Sequence, residues 1–321
     1  MAEKQYVLGV DVGGQTAKCG VVNASGEVIA QTILVSNEHA DADGFISALA
    51  DTLKKLVVDA NLEGQIRGVG VGAPNGNYYT GEIKNAPNLT WASSNVPVRF
   101  AAMLSEKLGG LPVALTNDAN AAAVGEMTYG IARGMKDFIM ITLGTGVGSG
   151  IVIDGKVVYG HDGFAGELGH TTVVPYNGRV CGCGRTGCLE AYCSAIGVAR
   201  TAREWLEHST EPSVLRDVDN ITSKDVYDAA KEGDKVALAI FEYTGKLLGT
   251  KFCDFIAFSA PEAIVLFGGL ARSKEFLYEP MLRAMNENVL KIWKDKVQIV
   301  FSSLKESDAA ILGASALAWE L

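Results

Sequence analysis

The chain has 321 residues, of which 48% are hydrophobic, and a formal net charge of −9 at pH 7. A chain of this length usually forms more than one hydrophobic core, so we expect two domains with a cleft between them. The acidic balance argues against a nucleic-acid partner, because contacts along a phosphate backbone need clustered Lys and Arg. A nucleotide is not excluded, since it needs only a local anion-binding site.

The start of the chain runs straight into a strand-like stretch at 5–11, without an apolar signal region. The sequence also contains no apolar run long enough to span a membrane. We therefore expect a cytoplasmic protein without a membrane partner.

The first part of the chain predicts an antiparallel meander, in which Gly- and Asn-containing turns separate three strand-like segments. This order differs from the strand–turn–helix of a P-loop or Rossmann unit. Apolar residues at helical spacing then predict a helix over 43–60, and a loop rich in Gly, Pro and Asn occupies 72–91. Long loops of this kind are often functional. Strands are predicted at 5–11, 17–22, 27–34, 66–71 and 113–116, and helices at 98–108 and 117–127.

The second part repeats the succession of strand, Gly-rich turn and strand, which occurs at 7–22 and again at 139–153. We interpret this repeat as a duplicated α/β unit, with the two turns facing each other across the cleft. The remaining strands are predicted at 138–143, 151–153, 262–267 and 297–301, and the helices at 190–208, 222–231, 234–258, 275–291 and 308–320.

Three Gly-containing turns are candidates for holding nucleotide phosphates. Glycines let the backbone approach a phosphate and present N–H groups to it, while Asp11 has the carboxylate that Mg²⁺ takes alongside phosphate oxygens. A plain hairpin turn explains each turn alone, but two such turns in equivalent positions favour phosphate binding. The candidates are Asp11, Gly13, Gly14, Gln15 and Thr16 in the first turn, Gly144, Thr145 and Gly146 in the second, and Gly268 and Gly269 after a later strand.

The chain has six cysteines, and three of them fall within eight residues. Together with a nearby histidine they form a one-His, three-Cys set, which tetrahedral Zn²⁺ takes in closed structural sites. Reduced thiols without metal, or a redox disulfide between Cys181 and Cys183, are the alternatives. The other cysteines, Cys19, Cys193 and Cys253, are expected to be buried small hydrophobes. The predicted zinc ligands are His170, Cys181, Cys183 and Cys188.

Five motifs occur in order: Asp11-Val12-Gly13-Gly14-x-Thr16, Asn117-Asp118, Leu143-Gly144-Thr145-Gly146-x-Gly148, Glu167-Leu168-Gly169-His170, and Cys181-Gly182-Cys183-Gly184-Arg185-Thr186-Gly187-Cys188-Leu189-Glu190. Together they resemble the sugar kinases of the ROK family (repressors, open reading frames, kinases), within the actin/hexokinase superfamily. The resemblance covers nearly the whole chain. It implies an α/β, actin-like and ribonuclease-H-like duplicated fold, with two domains of mixed sheets flanked by helices. We predict a smaller domain, 1–117 plus 306–321, and a larger domain, 118–305, with the zinc-binding loop.

Asp118 follows a predicted strand and opens a predicted helix. An N-cap role explains the pair Asn117-Asp118 without any chemistry, and from the residues alone that role is favoured. The resemblance places the catalytic base at this pair, where a carboxylate accepts the proton of a sugar hydroxyl as the bond to phosphorus forms. Position 15 departs from the family, because Gln stands where Gly or another small residue is usual. A positive φ at Gln15 would carry strain, and an amide contact to phosphate is the alternative.

The resemblance implies an ATP-dependent hexokinase that uses Mg²⁺ and phosphorylates the 6-hydroxyl of a hexose, with glucose the first candidate. Kinases for N-acetylmannosamine, N-acetylglucosamine, mannose or fructose are the alternatives within the class. A sugar-sensing repressor is the alternative of another class, but the first motif begins too near the start to leave room for a preceding DNA-binding domain. A dimer or tetramer is also expected. The implied sugar contacts are Asn117, Asp118, Glu167, His170 and Glu190, with Asn75 and Asn85 as further candidates in the long loop.

Overall fold

The computed structural model describes residues 5–321, which form two compact units. The first unit contains the chain up to Met135 together with Gly155–Gly166 and Ser303–Leu321, and the second contains Lys136–Asp154 and Glu167–Ser302. The predicted division placed the boundary at residue 117. In the structure, the helix that begins at Asp118 belongs to the first compact unit.

The elements follow the predicted order with small shifts at their ends. The strands are β1 Tyr6–Val12, β2 Thr16–Asn23, β3 Val28–Val35, β4 Ile66–Gly72, β5 Val113–Thr116, β6 Phe138–Leu143, β7 Val147–Ile153, β8 Lys156–Val157, β9 Ala263–Phe267 and β10 Gln298–Phe301. The helices are α1 Ala42–Asp59, α2 Phe100–Lys107, α3 Asp118–Tyr129, α4 Glu190–Cys193, α5 Ala195–His208, α6 Ser223–Lys231, α7 Lys235–Ser259, α8 Lys274–Asn288 and α9 Glu306–Ala316.

The sheet of the first unit has the strand order β3-β2-β1-β4-β5. β1, β2 and β3 pair antiparallel, which confirms the predicted meander, whereas β1 pairs parallel with β4 and β4 with β5. In the second unit, β7-β6-β9-β10 has the same succession of one antiparallel and two parallel pairings as β2-β1-β4-β5. The shared topology confirms that the α/β unit is duplicated.

Apolar periodicity determines which face of α1 is buried. Phe45, Leu49 and Leu53 recur at four-residue spacing and are fully buried in the core of the first unit. Asp41 is the N-cap of this helix, and its carboxylate accepts a hydrogen bond of 2.8 Å from the Gly44 N–H. Trp91, from the long loop, stacks on Phe45 with ring centroids 4.6 Å apart and is part of this core.

The last helix, α9, completes the first unit by packing on strands from the other end of the chain. A Cβ added at Gly9 in β1 would lie 2.2 Å from the Ile311 carbonyl oxygen. At Gly70 in β4, it would lie 1.9 Å from the Ala314 carbonyl oxygen. Only glycine lets helix and sheet approach so closely. The helix therefore lies against the sheet, backbone to backbone.

One predicted helix is broken in the structure. The predicted helix 190–208 is divided into α4 and α5 at Ser194, which has extended backbone angles. The Ser194 hydroxyl accepts a hydrogen bond from the Gly197 N–H at 3.0 Å and so caps α5. Apolar spacing continues through this point, and for that reason periodicity alone missed the break. Within residues 5–321, no helix is both long enough and apolar enough to cross a membrane.

Candidate functional site

The candidate catalytic carboxylate lies where three parallel strands of the first unit end together. Asp11 of β1 is in register with Gly72 of β4, and Gly72 is in register with Thr116 of β5. α3 begins at Asp118 directly after this edge, and a Cβ added at Gly72 would lie 3.6 Å from the Asp118 Cα. The parallel register therefore brings Asp11 and Asp118 to the same edge of the sheet.

The charge of Asp118 influences the carboxyl group of Asp11. Burial and then the charge of Asp118 raise the pKa of Asp11 to about 6, although Lys18 acts in the opposite direction. Desolvation also raises the pKa of Asp118, while the N–H of Ala119 opposes that shift. Asp118 is nevertheless exposed at the surface, so neighbouring protein surrounds its carboxyl without enclosing it. Two nearby carboxylates that resist ionising together suit a bound divalent cation.

Asn117, rather than Asp118, is the N-cap of α3. Its side-chain oxygen accepts a hydrogen bond from the Ala119 N–H at 2.8 Å. Asp118 is the first residue of the helix, and its Oδ1 is also 2.8 Å from the Ala119 nitrogen. The capping role predicted for the pair thus belongs to Asn117, which leaves the second Asp118 carboxylate oxygen for other partners.

The first Gly-containing turn is compact and accessible. The Gly13 N–H donates to the Thr16 carbonyl oxygen at 2.9 Å, and both Gln15 and Thr16 are exposed. A Cβ added at Gly14 would lie 2.7 Å from the Asn88 carbonyl oxygen. Gln15 does not have a positive φ, so the strain considered for that position does not arise. Its side chain remains a candidate for contact with a phosphate.

The long loop is held together by one of its own candidate residues. Asn75 and Asn85 both have a positive φ, at 54° and 52°. The Asn75 amide nitrogen donates to the carbonyl oxygens of Lys84, at 3.2 Å, and of Asn85, at 2.6 Å. This amide therefore closes the loop, and a sugar contact from Asn75 or Asn85 stays a prediction.

Two Gly-containing segments meet at one edge of the second unit. β6 pairs parallel with β9, so the turn after Leu143 lies beside the turn after Phe267. The Gly144 N–H donates to the Gly146 carbonyl oxygen at 3.0 Å, and Thr145 is exposed at the tip. A Cβ added at Gly268 would lie 2.5 Å from the Leu143 carbonyl oxygen. The structure thus brings Gly144, Thr145 and Gly146 next to Gly268 and Gly269.

The four predicted zinc ligands converge in the second unit. The ligand atoms of His170, Cys181, Cys183 and Cys188 all lie within 4.8 Å of one another. Cys183 Sγ is 3.7 Å from Cys188 Sγ, and Cys181 Sγ is 3.8 Å from His170 Nδ1. Sulfurs bound at about 2.3 Å to a tetrahedral Zn²⁺ lie about 3.8 Å apart, so the cluster fits that ion. All six cysteines are unpaired, which argues against the disulfide alternative.

The backbone of the cysteine loop is shaped for this convergence. The Cys181 N–H donates to the Arg185 carbonyl oxygen at 2.8 Å, and the Gly187 N–H donates to the Arg179 carbonyl oxygen at the same distance. Gly187 has a φ of +75°, and a Cβ there would lie 1.9 Å from the Val174 carbonyl oxygen. This position therefore needs glycine, as the motif has it.

The chain belongs to the ROK family. The family's model matches residues 7–320. The chain is 35% identical to a glucokinase of Halalkalibacterium halodurans over 98% of this chain and 94% of that protein. It is 31% identical to a xylose repressor of Caldicellulosiruptor bescii over 97% of this chain and 77% of that protein. A crystal structure of a ROK family glucokinase from Streptomyces griseus, in complex with glucose and AMPPNP, is similar with a TM-score of 0.78 at 31% identity, covering 98% of this chain and 100% of that chain.

Two of the ROK motif residues in the second unit lie next to the predicted metal ligands. Glu167 Oε2 is 3.8 Å from His170 Nε2, whereas the other ring nitrogen, Nδ1, lies near Cys181. Glu190, the last residue of the cysteine motif, begins α4. One ring nitrogen of His170 is thus available for metal, and the other lies beside a predicted sugar-binding carboxylate.

Arg179 supports the metal loop of this ROK protein but was not found by sequence reasoning. Its guanidinium lies over the Tyr192 ring at 4.5 Å and donates to the carbonyl oxygens of Ala191 and Gly197. It also forms an ion pair with Glu204 on α5, with N and O 2.6 Å apart. Arg179 is nearly fully buried. An Arg two residues before a Cys has no distinctive pattern, so no sequence signal indicated this role.

Proposed function

We propose that the chain is an ATP-dependent hexokinase that transfers the γ-phosphoryl group to the 6-hydroxyl of a hexose, with glucose as the preferred sugar. The observation that carries the proposal is Asp118, a carboxylate with a raised pKa at the edge where β1, β4 and β5 end. The family match and the glucokinase relative at 35% identity support the same activity.

Asp118 acts as the general base. A sugar hydroxyl is a weak nucleophile, and a carboxylate within hydrogen-bond reach removes its proton as the bond to phosphorus forms. A raised pKa makes the carboxylate a better proton acceptor than an ordinary Asp, provided that it stays ionised at the working pH. The Ala119 N–H, bonded to Asp118 Oδ1, fixes the direction of the carboxylate.

Asp11 is the residue that would hold Mg²⁺, directly or through water. The half-buried carboxylate of Asp11 is repelled by the nearby charge of Asp118. A bound cation would relieve this repulsion. When bound, Mg²⁺ neutralises charge on the transferring phosphates. The N–H groups of the two turns, at 13–16 and 144–146, bind phosphate oxygens, and Gly268 and Gly269 contact the rest of the nucleotide.

His170 and the three clustered cysteines would hold a structural Zn²⁺. The distances within the cluster and its one-His, three-Cys chemistry support this assignment. Nδ1 of His170 would bind the metal and Nε2 would remain for the sugar, so a bound metal would fix the tautomer and orientation of the ring. Sugar affinity is then expected to depend on metal content.

The sugar is bound by amide, carboxylate and imidazole groups. We assign this role to Asn117, Asp118, Glu167, His170 and Glu190, with Asn75 and Asn85 in support. Groups of this kind discriminate strongly, because a missing sugar hydroxyl leaves a buried polar group without its partner. Kinases for N-acetylmannosamine, N-acetylglucosamine, mannose or fructose remain the alternatives.

A sugar-responsive repressor is the alternative of another class, and the similarity to a xylose repressor is the observation that favours it. A repressor of this kind senses sugar without transferring phosphate. Sugar-dependent release of ADP separates the two functions, because only a kinase shows it.

The decisive experiment is a coupled assay of ADP release across a panel of hexoses and amino sugars, with NMR of the product to locate the phosphate. We expect ADP release that requires both sugar and Mg²⁺, the highest kcat/KM with glucose, and phosphate at the 6-position. Sugar binding without any ADP release would refute the kinase and favour the repressor.

A further inference from the structure

The carboxylate of Glu190 connects the metal cluster to the Gly-rich turn of the second unit. Its Oε2 accepts a hydrogen bond from the Val147 N–H at 2.9 Å, at the point where β7 leaves the turn. Its Oε1 lies 3.4 Å from the sulfur of Cys181, one of the predicted zinc ligands. At least one oxygen of this predicted sugar-binding residue is therefore engaged by the turn, through the Val147 N–H.

The turn is shaped around this carboxylate. A Cβ added at Gly146 would lie 2.4 Å from Glu190 Oε2, so glycine lets the backbone approach the carboxylate closely and any side chain would displace it. The segment that follows Glu190 makes a second contact, in which the Ala195 N–H donates to the Gly144 carbonyl oxygen at 2.8 Å. The turn is thus held at both of its ends by residues 190–195.

We propose that Glu190 is a positioning residue that holds the 144–147 turn in the conformation that binds nucleotide phosphates. This inference rests on the proposed function, in which the N–H groups of that turn bind ATP. A charge-assisted hydrogen bond to a backbone N–H is stronger than a neutral one, so Glu190 restricts the turn before the nucleotide arrives. Binding then requires less ordering of the backbone.

The positioning role differs in its consequences from the sugar contact that the ROK resemblance implies for Glu190. If Glu190 serves only to bind the sugar, its substitution lowers hexose affinity and leaves nucleotide affinity in the absence of sugar unchanged. If Glu190 positions the turn, its substitution lowers nucleotide affinity even when no sugar is present. Calorimetry with AMPPNP alone and with glucose alone separates the two effects.

The test compares Glu190→Ala and Glu190→Gln with the wild type and with Glu167→Gln as the matched control. For E190A we expect AMPPNP affinity to fall about tenfold, the equivalent of one hydrogen bond to a charged acceptor. E190Q keeps an oxygen for the Val147 N–H and is expected to stay within about threefold of the wild type. E167Q changes a predicted sugar-binding carboxylate in a different segment and is expected to leave AMPPNP affinity unchanged.

Gly146→Ala provides an independent check through a double-mutant cycle. In the wild type the new methyl group meets the Glu190 carboxylate, whereas in E190A the space is vacant. G146A is therefore expected to weaken AMPPNP binding less in the E190A background than alone. Additive effects, or an E190A variant that binds AMPPNP like the wild type, would overturn the inference.

Failure of the inference is distinguishable from failure of the proposed function. Wild-type protein that binds AMPPNP and releases ADP with sugar, alongside E190A with unchanged AMPPNP affinity, rejects only the positioning role. Wild-type protein that neither binds AMPPNP nor releases ADP rejects both. If E190A does not fold, as judged by its melting transition, E190Q and the charge-preserving Glu190→Asp replace it. E190D keeps the charge but shortens the reach to Val147, so AMPPNP affinity equal to that of the wild type overturns the positioning role.

Discussion

At the scale of single residues, the proposed chemistry depends on carboxyl groups whose surroundings alter their pKa. Asp11 and Asp118 are 107 positions apart in the sequence, yet the charge of one raises the pKa of the other. Asn117 caps α3, which leaves Asp118 available for the proposed role of base. The sequence motif identified the two aspartates, and the parallel register of β1, β4 and β5 explains why they lie at the same edge of the sheet.

Replacing Asp118 by Asn removes the proton acceptor but keeps the size of the side chain. We expect kcat to fall about 10²–10⁴-fold, the usual contribution of a general base, with hexose affinity largely retained. Sugar-dependent ADP release and glucose calorimetry measure the two quantities. Asp51→Asn, an exposed change on α1, is the control, and D118N with wild-type turnover would remove Asp118 from the base role.

Glu204 gives a pH-dependent prediction. Burial raises the pKa of this carboxyl, but hydrogen bonds from Arg179 and Arg200 outweigh burial and lower it below the ordinary value. A pKa depressed in the folded state stabilises the fold above the unfolded pKa of about 4.3, and this stabilisation is lost as the pH falls through the folded pKa. Glu204→Gln is therefore expected to cost about 1–2 kcal/mol at pH 7, allowing for the partial exposure of the pair.

The measurement is urea unfolding of wild type and E204Q between pH 7 and pH 3. The difference in unfolding free energy should shrink as the pH falls below about 4.3, because the wild-type carboxylate is then progressively protonated. A difference that stays constant over this range would show that Arg179 and Arg200 do not hold the charged form of Glu204.

At the scale of elements, the cysteine loop around residues 170–190 has little regular secondary structure, and its side chains help to fix its conformation. His170 and the three cysteines close it on one side, and Arg179 attaches its start to α5 through Glu204. Backbone hydrogen bonds such as that from the Cys181 N–H to the Arg185 carbonyl oxygen also order this segment, and the ligand cluster and the Arg179 contacts add to them. The sequence predicted the ligands, whereas Arg179 emerged only from the fold.

Removing the metal is expected to loosen this loop. We expect purified protein to contain one zinc per chain by mass spectrometry of the metal, and chelation to lower the melting temperature by about 5 °C or more, because bound metal stabilises only the folded state. Cys183→Ser should lose the zinc. Cys253→Ser, which changes a cysteine on α7 outside the cluster, should retain it. Zinc-free protein with unchanged melting and glucose affinity would contradict the structural role.

At the scale of the whole molecule, the two ends of the chain build one unit together. α9 packs on β1 and β4 through glycines that leave no space for a side chain. The first unit is therefore complete only when the last residues have folded onto strands formed by the first ones. The second unit repeats the strand pairing of the first and has its own core helices, α7 and α8.

Gly70→Ala tests the contact of β4 with α9. The new methyl group would lie 1.9 Å from the Ala314 carbonyl oxygen, which belongs to the helix backbone and cannot turn away as a side chain can. We expect a loss of at least about 3 kcal/mol in unfolding free energy, at the upper end of overpacking costs. Gly44→Ala in α1, where the nearest atom is a side-chain oxygen at 3.3 Å, is the control and should change stability little. Equal stability of G70A and wild type would show that α9 does not lie as described.

The sequence by itself determined the elements, the duplicated order of strand, turn and strand, and the residue types of the metal cluster. These follow from apolar periodicity, turn chemistry and ligand spacing, which act over a few neighbouring residues. The break at Ser194 was missed because local periodicity continues through it.

Only the tertiary structure decided which distant residues share an environment. Strand register brings Asp11 beside Asp118, and close packing turns the Glu190 carboxylate toward Val147. The placement of α9 against β4 likewise depends on backbone approach across more than 200 residues. Such proximity results from the packing of whole elements against each other, and no short stretch of sequence encodes it.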